Sequence, residues 1–367
     1  MTTLRLSLNA AAIVTLLSAF CLRPDTQASP QDLPGNTRED TARDTATAGD
    51  QYVPVVGEVV PQQPYRRYST LDKFDRRIDF YLSEEPDAAP PLPLVVYVHG
   101  SGAQSHFAQI EGSVRGATGH NTIADVVRRR ARLLIVEKPG VAYLDAPASF
   151  GGAVDATPTF RAEHTLDRWA EAVQAAIKAS LTLDEIRPGL ILVIGHSEGG
   201  IVAAKVAADF EAVTHVAVLA GEGPTQLFSL LRIARDGGFF SSISADPNTR
   251  AQYLLDQWAQ VMADPLNADS LFFGHPYLRW SSFLSTSTLE QLLRTNAEIY
   301  VAQGTADDAV AFESFDVLRA ELLAKGRDAT YDVVVGGDHS FNIETNGQLT
   351  DGWTPVVQRV FTWFIGT

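Results

Sequence analysis

Short apolar runs alternate with longer stretches of helical periodicity from about residue 68 to the end of the chain. Some of these runs, such as Leu94–Val98 and Leu190–Ile194, are continuous and rich in β-branched residues, which is typical of strands buried on both faces. The predicted strands are 78–82, 94–98, 133–136, 190–194, 216–219, 298–302 and 331–335, and the predicted helices are about 122–130, 164–179, 199–210, 312–325 and 355–365. Elements in this order predict an α/β fold in which helices cover both faces of a mostly parallel central sheet.

The alternation is interrupted between about residues 222 and 295, where no clear buried strand is found. This interval is helical in pattern and rich in large aromatic side chains. We expect a helical lid insertion over the edge of the sheet, in which some rings face a substrate pocket and the others form a small core of their own. The candidate substrate-binding residues are Phe239, Phe240, Trp258, Phe273 and Trp280.

The first 28 residues differ from the rest of the chain. Arg5 precedes an apolar stretch, Leu6–Leu22, and a small-residue site follows at Thr26–Ala28. This order is typical of a secretory signal peptide, so we predict a secreted or periplasmic protein. An uncleaved membrane anchor is a less favoured alternative. Lipid attachment at Cys21 is also less favoured, because a bulky residue precedes this cysteine.

Residues 29 to about 63 are rich in Pro, Gly, Thr, Asp and Ala and show no hydrophobic period. Such a segment buries too little apolar surface to fold by itself, so we predict a flexible leader. The folded domain is then expected to span residues 64–367.

The composition is that of a soluble globular protein, with 45% hydrophobic and 20% charged residues and a formal net charge of −15. An acidic surface repels phosphate groups, so nucleic acid is not an expected partner. After residue 28 no stretch reaches the roughly 20 apolar residues that cross a bilayer, so no stable membrane span is expected in the mature protein. Cys21 is the only cysteine and the sequence has no His-x-x-x-His pair, so we expect neither a disulfide nor a metal site.

The pentapeptide Gly195–Gly199 has the pattern Gly-x-Ser-x-Gly and stands between a predicted strand and a predicted helix. In this context a sharp turn exposes a serine hydroxyl above the edge of a sheet. The two glycines leave room for backbone that a side chain would block. We therefore predict that Ser197 is a nucleophile.

A serine hydroxyl is a weak nucleophile at neutral pH and needs a general base. Of the eight histidines, His339 is the best candidate because it follows the predicted strand 331–335, so its loop can reach the sheet edge. The acid that orients the base should also follow a strand and lie between nucleophile and base in chain order. Asp307 meets both conditions, with its neighbour Asp308 in reserve and Glu222 as an outside alternative.

An oxyanion that develops during attack on a carbonyl group needs N–H donors. The backbone N–H of Glu198, at the start of its helix, is one candidate, and that of Ser101, in a glycine-rich loop after the predicted strand 94–98, is the second. Loss of one such donor typically costs about 2.7–4 kcal/mol of transition-state stabilisation. The side chain of Glu198 is expected to line the pocket or support the site rather than to orient the base.

Four motifs follow one another in the order His-Gly-Ser-Gly, Gly-His-Ser-Glu-Gly-Gly, Gly-Thr-Ala-Asp and Gly-Asp-His. In this order they resemble the α/β-hydrolase superfamily over about residues 70–367. The second motif is similar to those of bacterial esterases near the dienelactone-hydrolase and prolyl-oligopeptidase-like branches. The resemblance implies a triad of Ser197, Asp307 and His339, an acyl-enzyme intermediate and no cofactor.

The activity that the sequence favours is that of a carboxylesterase acting on a small-molecule ester. A peptidase or amidase with the same triad is an alternative, with less support because the sequence shows no amino-terminal β-propeller and no obvious cluster to hold a peptide terminus. A non-catalytic binding protein on the same fold is a second alternative, since one scaffold can carry many functions. It is disfavoured because every catalytic position is filled.

Overall fold

A nine-stranded sheet forms the centre of the computed structural model, which describes residues 52–85, 91–148 and 151–366. Its strands are β1 (Val55–Val59), β2 (Tyr65–Leu71), β3 (Arg77–Ser83), β4 (Leu92–Val98), β7 (Arg132–Val136), β8 (Ile186–His196), β9 (His215–Leu219), β12 (Glu298–Gly304) and β13 (Thr330–Val334). Three small antiparallel ribbons complete the strands of the described residues: β5 (Phe107–Ile110) with β6 (Ser113–Gly116), β10 (Leu271–Phe272) with β11 (His275–Pro276), and β14 (Ile343–Thr345) with β15 (Gln348–Thr350).

The strand order in the large sheet is β1-β2-β3-β7-β4-β8-β9-β12-β13. The six strands from β7 to β13 in this order run parallel, whereas β1, β2 and β3 form an antiparallel edge. The helices are α1 (His120–Val127), α2 (Pro158–Glu163), α3 (Leu166–Ser180), α4 (Glu198–Asp209), α5 (Gln226–Asp236), α6 (Pro247–Ala263), α7 (Tyr277–Leu284), α8 (Thr288–Arg294), α9 (Phe312–Ala324) and α10 (Trp353–Ile365). The predicted mostly parallel α/β architecture is confirmed.

The central strands are buried on both faces, which explains their continuous apolar sequence. Leu94, Val96 and Val98 of β4 point into a core that includes the apolar faces of α3, α4 and α9. Val95 and Tyr97 point to the opposite side, into a second core that includes α1 and α10. Because successive side chains of a strand alternate between faces, a strand between two helical layers needs apolar residues at every position.

Strand β1 lies inside the range 29–63 that the sequence predicts as a flexible leader. Val55 pairs with Ser69 and Val56 with Tyr68, so this part of the chain belongs to the sheet. The prediction is wrong for these residues because an edge strand whose five side chains are all exposed needs no apolar period. The predicted signal peptide, Cys21 and the leader before residue 52 lie outside the described residues.

The predicted helical insertion, about residues 222–295, forms helices α5 to α8 and the β10–β11 ribbon. Helix α6 begins at Pro247, and the side chain of Asp246 caps it by accepting the N–H of Thr249 at 2.7 Å. Helix α7 contacts α3, since Ser282 Oγ accepts the N–H of Leu166 at 2.9 Å. Among the described residues no helix is long and apolar enough to cross a bilayer.

Candidate active site

Ser197 lies at the sharp turn between β8 and α4. Its backbone has φ 58° and ψ −127°, a strained conformation for a residue with a Cβ that typically costs about 1–3 kcal/mol. A Cβ at Gly195 would collide with the carbonyl oxygen of Gly199, and a Cβ at Gly199 would collide with that of Val98. The N–H of Ser197 donates to the carbonyl oxygen of Leu219 at 2.9 Å, which fixes the turn to the neighbouring strand. The glycines of the motif are therefore required by close backbone packing.

Asp307 and His339 are held together by two loops that follow adjacent parallel strands, β12 and β13. His339 Nδ1 lies 2.9 Å from Asp307 Oδ2 and 3.0 Å from Oδ1. The Asp307 carboxylate also accepts the backbone N–H groups of Ala309 and Val310, each at 2.9 Å, and the side-chain amide of Gln303 at 2.8 Å. This carboxylate is fully buried, and its position is fixed by four different donors.

The electrostatics of this pair follow from burial and mutual attraction. Burial alone would raise the pKa of Asp307, but His339 and the N–H donors lower it below its ordinary value. Burial alone would lower the pKa of His339, but the Asp307 carboxylate raises it above its ordinary value. The buried aspartate is therefore ionised at neutral pH and stabilises a positive charge on the imidazole.

The two other acids that the sequence offered do not contact the base. Asp308 is exposed, and its neighbour Asp307 makes the bond to His339. The Glu222 carboxyl group is buried and accepts the hydroxyl groups of Ser229 at 2.6 Å and Ser314 at 3.1 Å. Burial raises the pKa of Glu222 to about 8.

Ser197 and His339 line one cavity of about 420 Å³. The loop after β4 forms another part of its wall, and a Cβ at Gly100 would lie 3.2 Å from Ser197 Cβ. Ser101, in the same loop, also lines the cavity. Glu198 is the first residue of α4, so its N–H has no partner within the helix. Of the two predicted oxyanion donors, Glu198 thus follows Ser197 in the sequence, and Ser101 lines the same cavity as Ser197.

His196 supports the loop of the base, a contact that the sequence did not reveal. Its Nε2–H donates to the backbone oxygen of His339 at 2.8 Å. Burial, with a further contribution from His339, lowers the pKa of His196 to about 4, so the ring is neutral at neutral pH. Because the partner is a carbonyl oxygen, the proton of the neutral ring is on Nε2.

The Glu198 side chain is buried in an ion pair. It accepts hydrogen bonds from Arg279, on α7 of the insertion, and from His164 Nε2 at 3.0 Å. Burial would raise the pKa of this carboxyl group, but Arg279 and His164 hold it well below its ordinary value. Arg279 thereby joins the insertion to the helix that begins beside Ser197. Only the fold reveals this contact, since 81 positions separate the two residues.

We expect Arg279→Met to destabilise the protein strongly. The change would leave the Glu198 carboxylate buried without its main partner, and breaking one side of a buried pair typically costs about 3–5 kcal/mol. The free energy of unfolding, measured with urea, should fall less when Glu198→Gln is added, because the unpaired charge is then removed. Arg232→Met, which breaks exposed pairs with Asp236 and Glu313, is the control and should have little effect. Equal losses in both arginine variants would contradict this interpretation.

The five aromatic residues predicted to bind substrate do not line the cavity. They pack instead in a separate core of the insertion, around Leu230, Leu254 and Leu284; they are Phe239, Phe240, Trp258, Phe273 and Trp280. The prediction that some of them face the pocket is therefore wrong. Helices α5, α6 and α7 of the insertion have apolar faces that need a core, and these rings supply it. The aromatic walls of the cavity are Tyr97 and Trp353 instead.

The described ranges contain no group of three or more His, Cys, Asp or Glu side chains that could hold a metal ion.

Comparisons with known proteins agree with this architecture. A sequence profile described as the Alpha/beta hydrolase family matches residues 95–351. A comparison with curated proteins gives no match.

Solved structures that share the fold at low sequence identity include the following three. Est1E from Butyrivibrio proteoclasticus with ferulic acid bound is 15% identical, with a TM-score of 0.52, over 79% of this chain and 96% of that chain. Acetyl xylan esterase 1 from Thermoanaerobacterium sp. is 12% identical, with a TM-score of 0.51, over 85% and 88%. The acylaminoacyl peptidase of Pyrococcus horikoshii is 12% identical, with a TM-score of 0.55, over 84% of this chain but only 42% of that chain.

Proposed function

The chain belongs to the alpha/beta hydrolase family, and we propose that it is a serine hydrolase that cleaves carboxylic esters with Ser197 as its nucleophile. The observation that carries the proposal is the 2.9 Å hydrogen bond between Asp307 and His339 at the cavity that His339 shares with Ser197. Because Asp307 occupies Nδ1 of the imidazole, Nε2 is the ring nitrogen left to take the proton of the serine hydroxyl.

The proposed reaction has two halves. Ser197 Oγ attacks the ester carbonyl carbon while His339 Nε2 removes the hydroxyl proton, and the oxyanion accepts the N–H groups of Ser101 and Glu198. The tetrahedral intermediate then collapses, the bond to the alcohol oxygen breaks, and His339 returns the proton to the departing alcohol. A water molecule next gives a proton to His339 and attacks the acyl carbon. The bond to Ser197 Oγ then breaks and His339 returns the proton to this oxygen, which releases the acid and restores Ser197. Asp307 stays ionised throughout and stabilises the imidazolium.

The cavity favours an ester over a peptide with a free amino terminus. None of the described residues that line it is an aspartate or a glutamate, whereas a carboxylate is the usual partner for an ammonium group. The aromatic walls formed by Tyr97 and Trp353 suit a small flat or short acyl group. The structure of Est1E with ferulic acid, an aromatic carboxylic acid, supports the same substrate class. The apolar segment within residues 1–28 supports the proposal that the enzyme acts outside the cytoplasm.

The substrate class can be tested with p-nitrophenyl esters of graded acyl length, assayed beside aminoacyl and peptidyl anilides. We expect turnover of the short and aromatic esters, with kcat/KM falling as the acyl chain outgrows the cavity. The anilides should not exceed the background of Ser197→Ala. Faster turnover of anilides than of esters would identify a peptidase. Binding of these compounds by wild-type protein that turns over none of them would identify a non-catalytic protein.

A further inference from the structure

Lys138 is a buried lysine that the proposed triad does not use. It follows strand β7 at the end that faces the cavity loop, and its residue exposure is only 2%. Its ammonium group donates to the carbonyl oxygens of Gly100 at 2.6 Å and Gly102 at 2.7 Å. The nitrogen also lies 4.3 Å from the centre of the Trp169 ring. The nitrogen therefore faces two carbonyl oxygens and one aromatic ring.

Burying a positive charge costs free energy, which indicates that Lys138 has a role at this position. Burial lowers the pKa of Lys138 to about 7, although the nearby negative charge of Glu198 opposes this shift. No carboxylate of the described residues forms a salt bridge with Lys138. Its direct partners are instead the two carbonyl groups on either side of Ser101. An ammonium group that only had to be neutralised would be expected to bind a carboxylate directly.

The contact with Gly100 has a geometric consequence for Ser101. The carbonyl group of Gly100 and the N–H of Ser101 belong to one planar trans peptide, so they point in opposite directions. An ammonium fixed on that oxygen therefore directs the N–H away from Lys138. The second contact, to Gly102, restrains the loop on the other side of Ser101. Hydrogen bonding to the carbonyl oxygen also polarises the peptide and makes its N–H a better donor.

We propose that Lys138 is a positioning residue that orients and polarises the Gly100–Ser101 peptide so that its N–H stabilises the reaction's oxyanion. This inference rests on the proposed function, in which Ser101 supplies one of the two donors. The contribution of Lys138 should appear when negative charge develops on the substrate oxygen, and it should be small for the bound ground state.

The test compares Lys138→Met, which removes both the charge and the donors, with Lys138→Gln, which keeps neutral N–H donors. We expect kcat for a p-nitrophenyl ester to fall about 10- to 100-fold in the methionine variant, less than the loss of a whole oxyanion donor, with little change in KM. The glutamine variant should lie between it and the wild type. Lys205→Met is the matched control, because this lysine pairs with Asp167 and Asp209 away from the loop, and its kcat should be unchanged.

A second readout separates positioning from a general structural role. An aryl trifluoromethyl ketone forms a hemiketal with an active serine, and its oxygen occupies the position of the oxyanion. Its inhibition constant should rise by the same factor as kcat falls, whereas the constant for the matching methyl ketone should hardly change. Titration of the active serine with a fluorophosphonate, together with thermal melting, gives the folded fraction of each variant. If the methionine variant does not fold, the same comparison is made with the glutamine variant.

Two results would overturn the inference. One is a folded Lys138→Met enzyme with wild-type kcat. The other is a variant with reduced kcat but unchanged affinity for the trifluoromethyl ketone. A wild-type protein that hydrolyses no ester would overturn the proposed function and this inference with it. An active wild type with a fully active Lys138 variant overturns the inference alone.

Discussion

Replacing Ser197 by alanine should lower kcat for ester hydrolysis by about 10⁶-fold, the scale of nucleophile removal in a serine hydrolase triad. Alanine keeps the Cβ, so the strained turn and the fold should persist, and KM should change little. The loss arises because the acyl-enzyme can no longer form. The measurement is steady-state turnover of the best p-nitrophenyl ester, with thermal melting as a check of folding.

Ser340→Ala is the control for this prediction. Ser340 lines the same cavity and follows His339 in the sequence, but it has no role in the proposed mechanism. Its removal should leave kcat within a few-fold of the wild type. The assignment of the nucleophile would be wrong if Ser197→Ala stayed active and Ser340→Ala instead showed the large loss of activity.

Asp307→Asn should lower kcat by about 10⁴-fold, the loss known for this change in a comparable triad. One carboxylate oxygen accepts the N–H groups of Ala309 and Val310, so the amide oxygen of an asparagine should stay there. The amide nitrogen would then face His339 Nδ1 and donate to it. This arrangement stabilises the tautomer with a proton on Nε2, which cannot accept the proton of Ser197.

The same variant should change the pH dependence of kcat/KM in a defined direction. His339 must be neutral to act as a base, so activity is lost as the pH falls through its pKa. Asp307 raises that pKa in the wild type. Its removal takes away the main cause of the increase, so the acidic limb of the profile should move to lower pH.

Asp308→Asn is the matched control, since Asp308 is the exposed neighbour that makes no contact with the imidazole. It should show nearly wild-type kcat and a smaller shift of the acidic limb than Asp307→Asn, because the charge of Asp308 raises the pKa of His339 less than Asp307 does. Equal and small losses in both aspartate variants would contradict the assignment of Asp307. They would direct attention to Glu222, the buried carboxyl group that is bonded to Ser229 and Ser314.

The sequence predicted the central sheet and the residues at its edge for a physical reason. Strands buried on both faces must be apolar at every position, and residues that follow parallel strands meet at one edge. Asp307 and His339 follow the neighbouring strands β12 and β13, so the sequence alone was enough to predict that they form a pair, and the structure shows their hydrogen bond. Strand β2, Tyr65–Leu71, gave no such signal because its antiparallel pairing near the sheet edge tolerates polar residues.

The supporting contacts could not be predicted, because composition does not tell where a side chain points. Arg279 reads as an ordinary charged residue of an insertion helix, and only the packing of α7 brings it to Glu198. Lys138 likewise follows a predicted strand and gives no sign in the sequence of being buried, yet its side chain is buried and contacts Gly100. The prediction that aromatic rings of the insertion form a core of their own is confirmed, but the prediction that some of them face the pocket is wrong: Phe273 and Trp280 pack within the insertion.

Covalent labelling tests the role of Ser197 most directly. The purified protein is treated with a fluorophosphonate, digested and mapped by mass spectrometry, beside Ser197→Ala treated in the same way. We predict one adduct per chain, on Ser197, that forms as ester hydrolysis is lost and does not form in the variant. An adduct on Ser101 or Ser340, which line the same cavity, or an enzyme that stays active after Ser197 is fully modified, would contradict the proposed mechanism.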